Sequence, residues 1–192
     1  NAKIAPLPDA FGFVVPHAGH RYSGQCAAYA YKAVSERSFN RVILLGTNHQ
    51  SYRFKGVAVT TMTHYQTPLG LVAVDTAACK KLLDKGGLFV TAPDAEASEH
   101  SLEIQLPFLQ VALKEFKLVP LMLDELSPKD YTTAAGAIKE IVDDQTLILA
   151  SSDFTHYGQG FGYMPFNDNI KENLRKLDDG AIQEILRLSP QG

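Results

Sequence analysis

Cysteine is scarce. Cys26 and Cys79 are the only two in 192 residues, far apart and each in a helix-like stretch. That excludes a disulfide framework and any zinc finger built on close cysteine pairs. It fits a reducing compartment, and a cytoplasmic location is the expectation. No apolar run approaches the roughly 18 residues a bilayer-spanning helix needs, so no membrane segment is expected. Positive charge is not in excess: 18 Lys and Arg against 21 Asp and Glu leave a net charge of −3. That removes any electrostatic case for nucleic acid or an anionic membrane as partner. Internal repeats, low-complexity tracts and long linkers are missing too, which points to one domain. The sequence starts at Asn1 rather than Met and closes on the turn-like run Leu188-Ser189-Pro190-Gln191-Gly192. The expectation is a single α/β domain over residues 1–192, incomplete at both ends.

What is present is alternation of short apolar runs with helical patterns. Gly12 to Val15, Arg41 to Leu45, Gly56 to Met62, Leu69 to Val74, Leu118 to Leu123 and Thr146 to Ala150 read as strands. Ser23 to Val34, Thr76 to Lys85 and Pro128 to Val142 read as helices, the second stopped by Gly86-Gly87. Ser101 to Phe116 reads as a longer helix. Its Leu102, Leu106, Leu109 and Leu113 form one apolar stripe, and Pro107 should kink or restart it. Ile170 to Leu177 and Ala181 to Leu188 read as two terminal helices. Such alternation predicts a largely parallel or mixed central sheet covered on both faces, a three-layer α/β sandwich. Sites in such sheets form beyond the carboxyl ends of the strands.

Three of those ends carry a histidine: Val15-Pro16-His17-Ala18-Gly19-His20, Leu45-Gly46-Thr47-Asn48-His49, and Ala150-Ser151-Ser152-Asp153-Phe154-Thr155-His156. Imidazoles placed on rigid strand ends can converge on one point, and neutral imidazole is the commonest ligand for transition metals. Two histidines and a carboxylate suit Fe(II), with copper or zinc also fitting. Asp153 is placed to bind or to orient His156. A bland reading stands beside this one, since a histidine after a strand is more often a loop residue bonded to backbone. His20 reads equally as surface or pocket lip, and His64 as surface. A fourth cluster, Ser98-Glu99-His100-Ser101-Leu102-Glu103, is either a well-capped helix start or an acid–base histidine with a carboxylate partner at Glu103.

Five stretches together resemble the Memo family, component B of the AmmeMemoRadiSam system. They are Pro16-His17-Ala18-Gly19 with Tyr22-Ser23-Gly24 and Cys26-Ala27-Ala28; Leu45-Gly46-Thr47-Asn48-His49; Tyr65-Gln66-Thr67-Pro68-Leu69-Gly70; Glu99-His100-Ser101-Leu102-Glu103-Ile104-Gln105-Leu106-Pro107; and Ser151-Ser152-Asp153-Phe154-Thr155-His156-Tyr157-Gly158. They stand in family order and span nearly the whole chain. The resemblance implies a fold like the LigB-type (class III) extradiol dioxygenases, which open catechol rings with non-haem Fe(II). It implies His17, His49 and His156 as metal-site histidines, with Asp153 as the associated acid. His100 would flank the pocket, with His100, His156 and Asp153 in catalytic, proton-moving roles. It also implies a metal-ligand cysteine from a segment later than Gly192, to which neither Cys26 nor Cys79 corresponds. A functional link to AMMECR1-like and radical SAM proteins follows from the system's composition.

Three functions remain open on the sequence. The first is a metal-binding, dioxygenase-like redox enzyme acting on a small molecule, with Fe(II) as cofactor. The second is a non-catalytic binding module that uses the inherited cleft for a peptide or protein partner. The third is a zinc hydrolase with Glu99 or Glu103 as base, disfavoured because no HExxH motif is present.

Overall fold

The computed structural model describes residues 4, 7, 9–49 and 53–188. The turn-like end Ser189 to Gly192 lies outside the described residues. The chain divides into two compact units, residues 1–152 and 153–192.

The first unit is built on a six-stranded sheet. In chain order its strands are β1 (Gly12–Val15), β2 (Arg41–Thr47), β3 (Gly56–Val59), β6 (Phe89–Val90), β7 (Lys117–Asp124) and β8 (Thr146–Ser151). A separate hairpin pairs β4 (His64–Thr67) with β5 (Gly70–Ala73). The sheet order is β1-β8-β2-β7-β3-β6. All neighbours run parallel except β3 and β7, so the sheet is mixed. Pro120 sits inside central strand β7, where a missing N–H is usually excluded. The pairing with β3 stops at Val59–Leu121, one residue short of this proline.

Side chains alternate across the sheet and meet helices on both faces. Val42 and Leu44 of β2 join Leu118 and Met122 of β7 and Leu147 and Leu149 of β8 in one core. That core is covered by α1 (His20–Val34), α4 (His100–Glu103) and α5 (Leu106–Ala112). Ile43, Val57, Val59, Val119 and Leu121 face the other way, against α2 (Thr76–Leu83) and α6 (Pro128–Lys139). The result is the three-layer α/β arrangement that the strand and helix alternation predicts.

Local chemistry fixes the helix starts. Asp75 caps α2 by accepting from the Ala78 N–H at 3.0 Å and takes a 2.9 Å bond from Arg41 at the start of β2. Burial, the largest influence, pushes the Asp75 carboxyl up. The Ala78 N–H and the Arg41 guanidinium outweigh it and hold the group below its ordinary range. Ser127 and Asp130 close a reciprocal capping box on α6, with Pro128 in the first turn. Gly86 and Gly87 both take positive φ just beyond α2, as a helix stop requires.

The stretch from Ser101 to Phe116 is two helices, α4 and α5, restarted at Leu106 as the proline predicts, with Pro107 in the first turn, where it costs no helix bond. His64 opens strand β4 and is exposed, as expected of a surface residue. Short elements β6 and α3 (Pro93–Glu96) went unforeseen.

The second unit holds a 3-10 turn at Gln159–Phe161 and one helix, α7 (Ile170–Leu186). The two terminal helices of the sequence reading are one, because α7 runs through Gly180. A mid-helix glycine costs about 1 kcal/mol, too little to break a helix of this length. Among the described residues, no helix is long and apolar enough to cross a membrane.

Candidate metal centre

Strand register decides which loops can meet. Val15 of β1 lies opposite Ser151 of β8, and Leu45 of β2 lies opposite Ala150. The three parallel strands therefore end at one edge of the sheet. His17, two residues past β1, and His49, two residues past β2, rise over that edge from either side of Ser151. Helix α4 brings His100 to the same place from above.

The approach of α4 depends on Gly46. A Cβ at this position would stand 2.6 Å from Ser101 Oγ and 2.7 Å from Leu102 Cδ2. With hydrogen there instead, Ser101 Oγ donates to the Thr47 carbonyl at 2.9 Å and ties the helix start to the end of β2. Gly46→Ala must push α4 away. The expected cost is about 1–3 kcal/mol of stability from overpacking, with a loss of metal affinity because His100 moves with the helix. Thermal unfolding and metal titration of the same variant check both effects. An unchanged melting temperature would show that the contact yields freely.

His17, His49 and His100 form a cluster in which one ligand nitrogen from each lies within 4.8 Å of the others. The ring centroids are 5.0 Å apart for His17–His49, 5.6 Å for His17–His100 and 4.6 Å for His49–His100. His17 is buried, whereas the side chains of His49 and His100 are about one-third and one-half exposed, respectively (35% and 50%). The cluster thus has a closed back and an open front.

Glu99 organises this front. Its side chain is fully buried. It accepts from the His49 N–H at 2.7 Å, the Ser101 N–H at 2.7 Å and His49 Nδ1 at 2.9 Å, and His100 Nδ1 lies 3.4 Å away. Burial is the largest influence and raises the carboxyl's pKa. The backbone donors of His49 and Ser101, with the His49 ring, outweigh it and hold Glu99 below its usual range. An ionised Glu99 accepts only, so His49 carries its proton on Nδ1 and its lone pair on Nε2. A carboxylate behind an imidazole in this way is the usual orienting device of metal-site histidines. The carboxylate beside His100 is therefore Glu99, not the Glu103 that helical spacing suggested. Glu103 is exposed.

His156 and Asp153 belong to the second unit. There His156 Nε2 lies 3.9 Å from Asp153 Oδ2, and the ring tilts against Phe161 at 5.1 Å. Asp178 of α7 accepts from the Thr155 N–H at 3.2 Å and fixes the loop that carries them. His20 is exposed, donates through Nε2 to the Ile104 carbonyl at 2.8 Å and packs edge-on against Phe108. Cys26 is exposed on α1, whereas Cys79 is buried in α2, its thiol pushed up to about 12 by burial first and by Asp75 and Glu96 next.

Residues that the sequence reading left without a role surround His17. Ser151 Oγ lies 3.2 Å from His17 Nδ1, and Gln105 and Tyr31 continue the contact inward. For Ser151 and Gln105 the signal available was their membership of the motif stretches; Tyr31 lies outside them. Among the described residues, no buried side-chain polar atom lacks a hydrogen-bond partner. A three-imidazole donor set, oriented from behind and open in front, can hold a transition-metal ion.

Comparison with known proteins agrees with the motif pattern. The family model described as "Memo-like protein" matches residues 2–192. A MEMO1 family protein of Nitrosopumilus maritimus is 40% identical over 178 residues, 92% of this chain and 64% of that protein. One from Methanopyrus kandleri is 37% identical over 182 residues, covering 91% and 63%. The memo-1 homolog of Caenorhabditis elegans is 32% identical over 191 residues, covering 96% and 54%. The chain thus spans between about half and two-thirds of the length of these relatives. With the match running from residue 2 to the last and the histidine cluster built from its motif stretches, the chain belongs to the Memo-like family.

Proposed function

We propose that this chain binds Fe(II) at the histidine cluster and acts as a non-haem, dioxygenase-like oxidoreductase on a small molecule. The observation that carries the reading is the convergence of His17, His49 and His100, with Glu99 buried behind His49. Imidazole nitrogen with nearby carboxylate suits iron; copper and zinc fit the same donors. Iron in this place would supply redox chemistry and open positions for substrate and dioxygen.

The chain's own residues do the rest. Glu99 holds His49 Nδ1–H and so aims Nε2 outward. The His17 ring closes the back of the site and excludes water there. His100, half-exposed beside Glu99, is a third donor and is placed to move a proton at its ring nitrogens. Roles for His156 and Asp153 in metal holding and proton movement rest on the sequence resemblance and are proposed on that ground. So are a small-molecule or peptide ligand and the functional link to AMMECR1-like and radical SAM proteins.

Calorimetric titration of the metal-free chain with Fe(II) under anaerobic conditions, and with Cu(II) and Zn(II), tests the binding. One saturable site is expected. Oxygen uptake by the iron-loaded protein with a panel of catechols tests the chemistry. Saturable iron without oxygen uptake would leave a metal-binding module, and no saturable site for any of the three metals would defeat the reading.

A further inference from the structure

The geometry points to Ser151 and Gln105 as positioning residues that fix the tautomer of His17, placing its proton on Nδ1 and its lone pair on Nε2. This rests on the proposed metal-binding role for its purpose, but not for its test.

The donors and acceptors along this chain of contacts follow from the two backbone carbonyls in it, which can only accept. Gln105 is buried, and its Nε2 lies 3.0 Å from the Pro16 carbonyl and 2.9 Å from Ser151 Oγ, while its Oε1 lies 2.7 Å from Tyr31 Oη. A carbonyl cannot donate, so the amide nitrogen must face Pro16, and the orientation of the amide follows. Gln105 then spends both amide hydrogens, one on Pro16 and one on Ser151, and accepts the Tyr31 hydroxyl proton. Ser151 has a single proton and a short 2.6 Å contact to the Ser101 carbonyl, which again can only accept. That proton is committed. Toward both Gln105 and His17, Ser151 Oγ offers lone pairs only, so His17 Nδ1 at 3.2 Å must be the donor. The tautomer of a histidine is set by the bond that one of its nitrogens makes, and here the bond belongs to Nδ1.

The arrangement mirrors His49, where the Glu99 carboxylate plays the part of Ser151. Two neighbouring imidazoles are thus set in the same tautomer by different means, a charged acceptor at the open front and a neutral hydroxyl at the buried back. A neutral acceptor carries a lower burial cost beside the buried His17 than a second carboxylate would. The chain also ties the site to the fold. Ser151 ends β8, Pro16 follows β1, Tyr31 lies on α1, Ser101 lies in the first turn of α4, and Gln105 lies between α4 and α5.

The test reads the tautomer directly. Metal-free chain labelled with 15N-histidine is examined by long-range 1H–15N correlation at a pH where imidazole is neutral, and His17 is assigned by its loss in His17→Asn. The expected result is a protonated Nδ1 and an unprotonated Nε2 at His17. The opposite pattern in the wild-type chain overturns the inference, and this reading needs no variant to fold. Ser151→Ala removes the acceptor while leaving the strand's shape, and should release His17 to a mixture of tautomers. Iron affinity should fall about tenfold. Ser151→Thr, which restores a hydroxyl, should recover the Nδ1–H form. A Ser151→Ala protein whose His17 tautomer stays unchanged also overturns the inference. Because the tautomer is read without metal, the two readings fail separately. An Nδ1–H His17 in a chain that takes up no metal would defeat only the metal reading. An Nε2–H His17 in a chain that binds iron would defeat only this one.

Discussion

His49→Ala is expected to lower Fe(II) affinity by more than the roughly 10–100-fold that loss of an orienting partner costs, while leaving the chain folded. The two effects separate because His49 plays two parts through different atoms. Its imidazole is one of three nitrogens in the cluster, and alanine removes it outright. Its backbone N–H donates to Glu99 at 2.7 Å and survives the substitution. Ser101 N–H likewise keeps its bond to Glu99. The buried carboxylate loses one donor of three, and that donor's side chain is already 35% exposed, so water can replace it. A stability change of about 1 kcal/mol follows. Calorimetry with Fe(II) and thermal unfolding of the same sample check this, and metal retention equal to wild type would remove His49 from the site.

Glu99 should behave in the opposite way, with fold and site failing together. Glu99→Ala strands the N–H groups of His49 and Ser101 and the His49 ring nitrogen in a place that the carboxylate now fills with none of its own side-chain surface exposed. Loss of an N-cap costs about 0.5–2 kcal/mol, and each orphaned buried donor about 1–3 kcal/mol. A total of about 3 kcal/mol or more is expected in denaturant unfolding. Glu99→Gln keeps the size but not the chemistry. Oε1 accepts from two donors and Oε2 from a third, so an amide nitrogen in either position meets an N–H head-on. The milder orientation places it against the His49 N–H. Glu99→Gln should therefore fold with reduced stability and bind iron about 10–100-fold more weakly. A Gln variant with wild-type affinity would show that the charge behind His49 does not tune the site.

Most of the architecture was legible because burial writes itself into period. The leucine stripe at Leu102, Leu106, Leu109 and Leu113 is core throughout, and the strand from Arg41 alternates between the two faces it was expected to separate. His17 and His49 were legible because strand ends fix where a loop residue starts. What failed was local: Phe89–Val90 is too short for a period to show, and one glycine at position 180 does not outweigh the rest of α7. What the sequence hides is pairing at a distance. Helical spacing offered Glu103 to His100, whereas the carboxylate that matters, Glu99, is defined by a loop fifty residues away at His49. Gln105 stands in a motif stretch, but its three partners, Pro16, Tyr31 and Ser151, are far from it in sequence. Gly46 carried no sign that a helix would rest on its missing Cβ.

Whether the cluster of His17, His49 and His100 holds a metal ion is read from crystals of the chain grown anaerobically with Fe(II) and measured on both sides of the iron absorption edge. One strong anomalous peak is expected within bonding distance of imidazole nitrogens of His17, His49 and His100. Iron-loaded crystals with no anomalous peak at these histidines would contradict a metal site there.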